Sequence, residues 1–342
     1  MNEVKRTRFV KKEKKDIDIE RLMEGLRSGN RSMLAKAITL IESNAPHHFE
    51  LAQSLLTQAL PHTGQSVRIG ISGVPGAGKS TFIESLGTYL CRRGHKVAVL
   101  AIDPSSTVHG GSILGDKTRM EKLSADRNAF IRPSPSEGTL GGVHRKTRES
   151  ILLCEAAGYD VILIETVGVG QSEAIVRDMA DLFMLLVLTG AGDDLQGMKK
   201  GIMELTDLIV VNKADGDNKT KAMATRQEYN RFLHMLQPAT PGWATEAHTC
   251  SSIEHEGIAE IWSVIEHFIK HVKQTGIFQE RRKMQTKKWM KDSLAHQLNL
   301  AFYRDELVKK KIPSLESDVM EGKKTVSTAV MEALELFLGH KK

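Results

Sequence analysis

The residues best suited to chemistry lie in the run GVPGAGKST, which comprises Gly73, Val74, Pro75, Gly76, Ala77, Gly78, Lys79, Ser80 and Thr81. The spacing is G-x-x-x-x-G-K-[ST], set between an apolar β-rich run, VRIGISG, and an amphipathic stretch, FIESLGTYLCRRG. Glycines let a backbone wrap an anion closely, so that its N–H groups point inward at the charge. Lys79 can then reach the outer phosphates of a nucleotide, the Ser80 hydroxyl can bind Mg²⁺, and the helix N-terminus adds its positive end. With Gly at about 7% of residues, these four fixed positions coincide by chance in about one chain of this length per hundred. Requiring a strand before and a helix after makes coincidence rarer still.

A second chemical signal ends a later apolar run, LIVVNKAD, in Asn212, Lys213, Ala214 and Asp215. In N-K-x-D the carboxylate can accept two hydrogen bonds from the ring N–H and exocyclic amine of guanine, groups that adenine does not present on that edge. The Lys213 stem can lie along the base plane. Downstream, TCSSIEHEGI supplies Ser251, Ser252 and Ile253, where a backbone N–H can meet the guanine oxygen. That element is degenerate and carries little weight alone.

Between these signals, ILIETVGVGQSE ends a buried strand in Glu165, with Gly168 three residues on. Nucleotide-hydrolysing phosphate-loop proteins place an acid near Mg²⁺ at this strand end, usually Asp. The spacing puts the Gly168 N–H where it can sense a γ-phosphate, and the glycines around Val169 permit an order–disorder switch when that phosphate leaves. Asp103 ends the strand KVAVLAID, and Asp116 lies in the long loop after it, GSILGDKTRM. Asp103 is placed to hydrogen-bond the metal's water or the attacking water. No residue is singled out as the catalytic base, and nothing marks a built-in arginine finger; Arg145, Arg148 and Arg177 are the arginines available.

These loops need elements to hold them. Runs that are apolar throughout (VRIGISG, KVAVLAIDP, NAFIRPSP, DVILIETVG, LFMLLVLTG, DLIVVNKAD) alternate with helix-like segments, which predicts a mostly parallel sheet covered by helices on both faces. Before it, IERLMEGL, SMLAKAITLIES and HFELAQSLLTQAL have helical spacing. After it the strands stop, and two long helices are expected, split near Pro313. Trp289, Leu294, Leu298 and Phe302 form an apolar stripe on the first of them. The expected plan is an α/β fold in three parts: an N-terminal helical region over 1–66 with a basic disordered start, a phosphate-loop domain over 67–273, and a C-terminal helical arm over 274–342 that packs on its own domain or on a second copy.

The chain has 342 residues, 40% of them apolar and 5% aromatic, with a net charge of +6. The first fifteen residues hold seven Lys/Arg against two Glu, without interleaved aromatics, which fits a solvated arm better than a nucleic-acid contact. That arm has no apolar core of a secretory signal, and no run approaches the roughly 20 apolar residues of a membrane span. Cys91, Cys154 and Cys250 are odd in number and far apart, as suits a reducing cytoplasm rather than a disulfide frame or zinc site.

GVPGAGKST, AIDPSS, GSILGDKTRM, GTLGGV, ETVGVGQSE, GAGDDLQGMKKGI and NKAD occur in this order. The set resembles MeaB-type GTPases, also called ArgK or methylmalonyl-CoA mutase-associated GTPases, from about residue 20 to beyond 330. The resemblance implies a homodimeric, GTP-hydrolysing chaperone of an adenosylcobalamin-dependent acyl-CoA mutase, with GTP/GDP and Mg²⁺ as its ligands. It places Ser80, Asp103, Asp116 and Glu165 around the metal and switch region and Asp215 on guanine. It makes GAGDDLQGMKKG, with Gln196 and Lys199, a further switch segment coupled to the mutase, and it makes the C-terminal helices the dimer arm. The guanine-oxygen motif usually reads Ser-Ala, and this chain departs from it with Ser251-Ser252, a mild change for a backbone contact. No D-x-H-x-x-G segment is present, so direct tight cobalamin binding is not expected. Two alternatives stand beside this reading. A metallochaperone GTPase predicts clustered Cys and His, of which only the adjacent His47 and His48 are suggestive. A small-molecule kinase needs an acceptor pocket and would leave NKAD superfluous.

Overall fold

The computed structural model describes residues 17–102, 120–134, 140–166, 172–189 and 200–339. Its centre is a seven-stranded sheet: β1 (Val67–Gly73), β2 (Val97–Ile102), β3 (Ala129–Ser134), β4 (Val161–Thr166), β5 (Leu182–Val187), β6 (Leu208–Val211) and β7 (Glu246–Thr249). The spatial order is β3-β2-β4-β1-β5-β6-β7, and every adjacent pair is parallel. Strands β2, β4 and β5 are buried at every position, which is why their sequences run apolar without alternation.

Successive side chains still take opposite faces. On one face Ile69, Ile71, Val99, Leu163, Met184 and Val210 pack beneath α4 (Lys79–Arg92) and α10 (Ile258–Gln274). On the other, Leu100, Ile162, Ile164, Phe183 and Val211 pack beneath α6 (Leu140–Ala156), α7 (Ser172–Arg177) and α9 (Lys219–Leu233). Gly70 allows α7 to lie close on that second face, since a Cβ there would come within 2.6 Å of Val176 Cγ1. Short helices α5 (Glu121–Ala125) and α8 (Lys200–Met203) complete the connections among the described residues.

The N-terminal helices α1 (Ile19–Arg27), α2 (Arg31–Glu42) and α3 (Pro46–Ala59) extend the second face rather than forming a core of their own: Leu26, Leu34, Ile38 and Leu55 belong to the same apolar cluster as Ile162 and Phe183. Asp18 caps α1 by accepting from Arg21 N, and Asn30 caps α2 by accepting from Ser32 N and Met33 N. The basic start of the chain lies outside the described residues.

The C-terminal helices are α11 (Ile277–Arg304), α12 (Glu306–Met320) and α13 (Val326–Gly339). The expected break at Pro313 is corrected: Pro313 lies inside α12, and the chain breaks instead at Asp305, whose carboxylate caps α12 by accepting from Leu307 N and Val308 N. A helix-interior proline costs about 3 kcal/mol and a cap returns only about 1, so packing on either side of Pro313 holds α12 together: Val308 and Leu315 are buried, and Leu315 clusters with Ala329 and Ala333 of α13. The first turns of α11 are pinned to the body. Gln285 Nε2 donates to Ala180 O (2.8 Å), Arg282 binds both oxygens of Asp181 (2.9 and 2.7 Å), and Lys288 pairs with Asp178. Beyond Trp289 the helix leaves the body, and Leu294 and Leu298 are more than half exposed. Phe302 folds back on Phe337 of α13, beside a small cluster of Leu315, Ala329 and Ala333. Among the described residues, no helix is long and apolar enough to cross a membrane.

Candidate functional site

The carboxyl ends of parallel strands share one rim of the sheet, the usual place for a ligand in such folds. The loop after central strand β1 runs from Gly73 to the start of α4. Gly76 and Gly78 both take positive φ (81° and 82°). A Cβ on Gly78 would stand 2.7 Å from Asn212 Nδ2, so this position demands glycine on both backbone and packing grounds. Lys79 is 9% exposed, and its Nζ donates to the carbonyls of Gly73 (2.8 Å) and Val74 (3.3 Å) at the mouth of the loop. Burial lowers its pKa, opposed by the nearby Glu165 carboxylate, which favours the charged form.

Glu165 sits at the end of β4, beside Ile71 of β1 and Ala101 of β2 in register. It shares a strand face with Leu163, the face covered by α4, so strand alternation itself aims the carboxylate at the start of that helix. The Ser80 hydroxyl donates to Glu165 Oε1 at 3.2 Å. Next along, Thr166 Oγ1 donates to Ser72 Oγ at 2.9 Å and ties the two strand ends together. A serine hydroxyl and a buried carboxylate side by side at a phosphate loop are hard oxygen donors of the kind Mg²⁺ prefers, so these residues fit that ion.

After β6, Asn212 is 1% exposed and joins three segments. Its Nδ2 donates to Ala77 O of the phosphate loop (2.8 Å), and its Oδ1 accepts from Ser252 Oγ (2.7 Å) and Cys250 Sγ (3.3 Å). Lys213 holds a positive φ of 59°, a strained conformation of the kind found at binding sites, and its carbonyl accepts from Asn218 Nδ2 at 2.6 Å. Asp215 is half-buried and accepts from Ser251 Oγ at 2.8 Å, which orients its carboxylate. The Ser251 N–H donates to Glu256 O at 3.0 Å, so Ser252 and Ile253 are left as the N–H candidates for a base oxygen; the Ile253 side chain is exposed.

The structure thus brings the loop of residues 73–81, Glu165, Asn212–Asp215 and Ser251–Ile253 to one rim. Asp103, Asp116, Gly168, Gln196 and Lys199 lie outside the described residues. The arginines considered as fingers are each engaged by another residue of the chain. Arg177 pairs with the buried Asp207 (2.8 Å), at the opposite end of the sheet, Arg148 donates to Gln285 O (3.4 Å), and Arg145 pairs with Glu149 (3.5 Å). The three cysteines are free and buried, and burial pushes the Cys250 thiol up to about 12. Sequence reasoning missed the side-chain clasp that Asn212, Cys250 and Ser252 form. The adjacency of Cys250 and Ser252 to a strand end was its only visible signal.

The model of the family described as methylmalonyl-CoA mutase-associated GTPase MeaB matches residues 34–306. GTPase ArgK of Escherichia coli is 52% identical over 266 residues, 78% of this chain and 80% of that protein. A mouse protein named methylmalonic aciduria type A homolog, mitochondrial, is 46% identical over 314 residues, 89% of this chain and 76% of that one. A crystal structure of a protein called LAO/AO transport system kinase, 38% identical, superposes with a TM-score of 0.75 over 94% of this chain and 97% of that one. A phosphate loop, a strand-end carboxylate and a guanine-type N-K-x-D on one rim agree with these matches: the chain belongs to the MeaB family of GTPases.

Proposed function

We propose that this GTPase serves an adenosylcobalamin-dependent acyl-CoA mutase, methylmalonyl-CoA mutase first among them, by gating cofactor loading and protecting the loaded enzyme. The observation that carries the nucleotide half of this reading is the join within the site: Asn212 ties the phosphate loop directly to the base-side loop. The family description and the name of the mouse relative support the choice of mutase.

In this reading the backbone of residues 73–81 cradles the phosphates and Lys79 leaves its carbonyl partners for the outer phosphate oxygens. Ser80 and Glu165 would hold Mg²⁺, which when bound neutralises charge on the phosphates. Asp103, Asp116 and Gly168 complete the metal and switch region. Asp215, held by Ser251, accepts from the guanine edge, and Lys213 covers the base plane. With Arg145, Arg148 and Arg177 each held by a partner within the protein, intrinsic hydrolysis is slow and the mutase stimulates it. Gln196 and Lys199 report the nucleotide state to that partner. The exposed Leu294 and Leu298 on α11 carry a homodimer contact in the cytoplasm, and the chain works as a helical region to residue 66, a GTPase domain over 67–273 and a dimer arm from 274. The kinase in the name of the solved relative points to a second reading, transfer of the phosphate to a small acceptor. Against it, a base-reading Asp215 has no use when ATP is the donor.

Mixing the purified protein with methylmalonyl-CoA mutase tests the proposal. GTP turnover should rise at least about tenfold, and the complex should differ in affinity between GDP and a non-hydrolysable GTP analogue. Unchanged turnover and nucleotide-independent binding with this mutase and with isobutyryl-CoA mutase would remove the partner assignment.

A further inference from the structure

The loop that follows β7 does more than present Ser251 and Ser252. It closes on itself through an antiparallel bridge between Ser251 and Glu256, Glu254 N donates to Ser251 Oγ (3.1 Å), and Lys219 pairs with Glu256 (2.8 Å). At its tip, His255 holds a positive φ of 60°. A non-glycine residue rarely adopts this region without a compensating contact. The compensation is visible: the His255 Nδ1 lies 2.6 Å from the hydroxyl of Ser85, a buried residue in the middle of α4, the helix whose first residues are Lys79 and Ser80.

The consequence is geometric. One short loop touches the base side through Ser251–Asp215 and Ser252–Asn212, and touches the phosphate side through His255–Ser85. Asn212 ties the same two halves on the rim itself, through Ala77. His255 therefore provides a second brace between the two halves, through residues the first does not use. We infer that His255 is a positioning residue for guanine-nucleotide binding, a strut that uses Ser85 to hold the base-side loop at a fixed distance from the phosphate helix. The inference rests on the base-reading role given above to Asp215 and the Ser251–Ile253 loop.

The strut acts on nucleotide retention, because it sets how well the base and phosphate subsites can be filled together. A fluorescent GDP analogue, released from the full-length protein by excess unlabelled GDP, measures it. His255→Ala and Ser85→Ala should each speed release and raise the GDP dissociation constant about 3- to 10-fold, the range spanned by one hydrogen bond. The KM for GTP should rise by more than kcat falls. The double variant should match the single ones, because either change removes the same contact. His255→Asn should recover most of the loss, since Asn tolerates positive φ and its amide places a polar atom where the imidazole Nδ1 lies; a side chain acting only by bulk would not be rescued in this way. Single variants within twofold of wild type in both release and affinity, or a double variant whose effect multiplies the two, would overturn the strut. Comparison of wild-type GDP and ADP affinities keeps the premises apart. If wild type prefers GDP and the variants fail as described, the strut alone falls; if wild type shows no preference, the base-reading assignment falls and takes the strut with it.

Discussion

Replacing Asn212 by alanine probes the join between the two halves of the site. The side chain is 1% exposed and makes three hydrogen bonds, to Ala77 O at 2.8 Å, from Ser252 Oγ at 2.7 Å and from Cys250 Sγ at 3.3 Å. Truncation strands the Ala77 carbonyl and the Ser252 hydroxyl, both on buried residues. A buried polar group left unpaired costs about 1–3 kcal/mol. The two together give a loss of about 2–5 kcal/mol, with the weak thiol contact adding little. For a protein of 342 residues, at about 2.1 cal/mol/K of unfolding entropy per residue, each kcal/mol moves the melting temperature by about 1.5 °C, so a drop of about 3–7 °C is expected without nucleotide. Asn212→Asp should be no better: it keeps the acceptor for Ser252 but turns an oxygen toward the Ala77 carbonyl and buries a charge. Differential scanning fluorimetry on the nucleotide-free protein, with circular dichroism as a check on the fold, reads both variants. A shift for Asn212→Ala below about 2 °C, or an Asp variant as stable as wild type, would refute the claim that this side chain clasps the site.

Gly78→Ala should lower nucleotide affinity at least about tenfold in an equilibrium titration, because the residue holds φ of 82° and a Cβ would stand 2.7 Å from Asn212 Nδ2. Glu149 predicts a pH dependence: burial, opposed by Arg145 and Lys146, raises its carboxyl from 4.5 to about 7. The folded chain then holds this proton more tightly than the unfolded one, so stability falls as pH rises from about 4.5 to about 7 and levels off above, by up to about 3 kcal/mol. Glu149→Gln should flatten that slope and be the more stable protein at pH 8 in urea titrations at several pH values; an unchanged slope would remove the assignment. Leu294→Glu with Leu298→Glu should halve the mass seen by light scattering and leave the circular dichroism spectrum unchanged, since both side chains are more than half exposed on the single chain; an unchanged mass would remove the dimer contact from this face.

Much of the fold is legible in the sequence because its signals are local. VAVLAI, VILIET and LFMLLV read as buried parallel strands on composition alone, and each is buried at all positions. Glu165 is legible for a similar reason, since period-two alternation carries it to the face beneath α4. Asp305 is different in kind. Its capping role competes with Pro313 for the break in the C-terminal helices, and which one wins depends on how the hairpin closes over Leu315 and Ala333. The partner of His255 lies 170 residues away, and those of Gln285 more than 100 away, so no pattern along the chain announces either. Arg177 and Asp207 are only 30 residues apart, yet an arginine after a switch-like segment reads as a candidate finger until the fold carries it to the other end of the sheet.

The central claim is that one guanine nucleotide bridges the phosphate loop and Asp215 on the carboxyl rim of the sheet. The most direct measurement compares GTP with xanthosine triphosphate, in affinity and turnover with Mg²⁺ present, for wild type and Asp215→Asn. Xanthine presents a carbonyl where guanine has its amine, so the amide N–H of an asparagine at position 215 can donate to it where a carboxylate cannot. GTP should be preferred by wild type and the xanthine nucleotide by the variant, each by at least about tenfold; an unchanged preference for GTP in the variant would take Asp215 off the base.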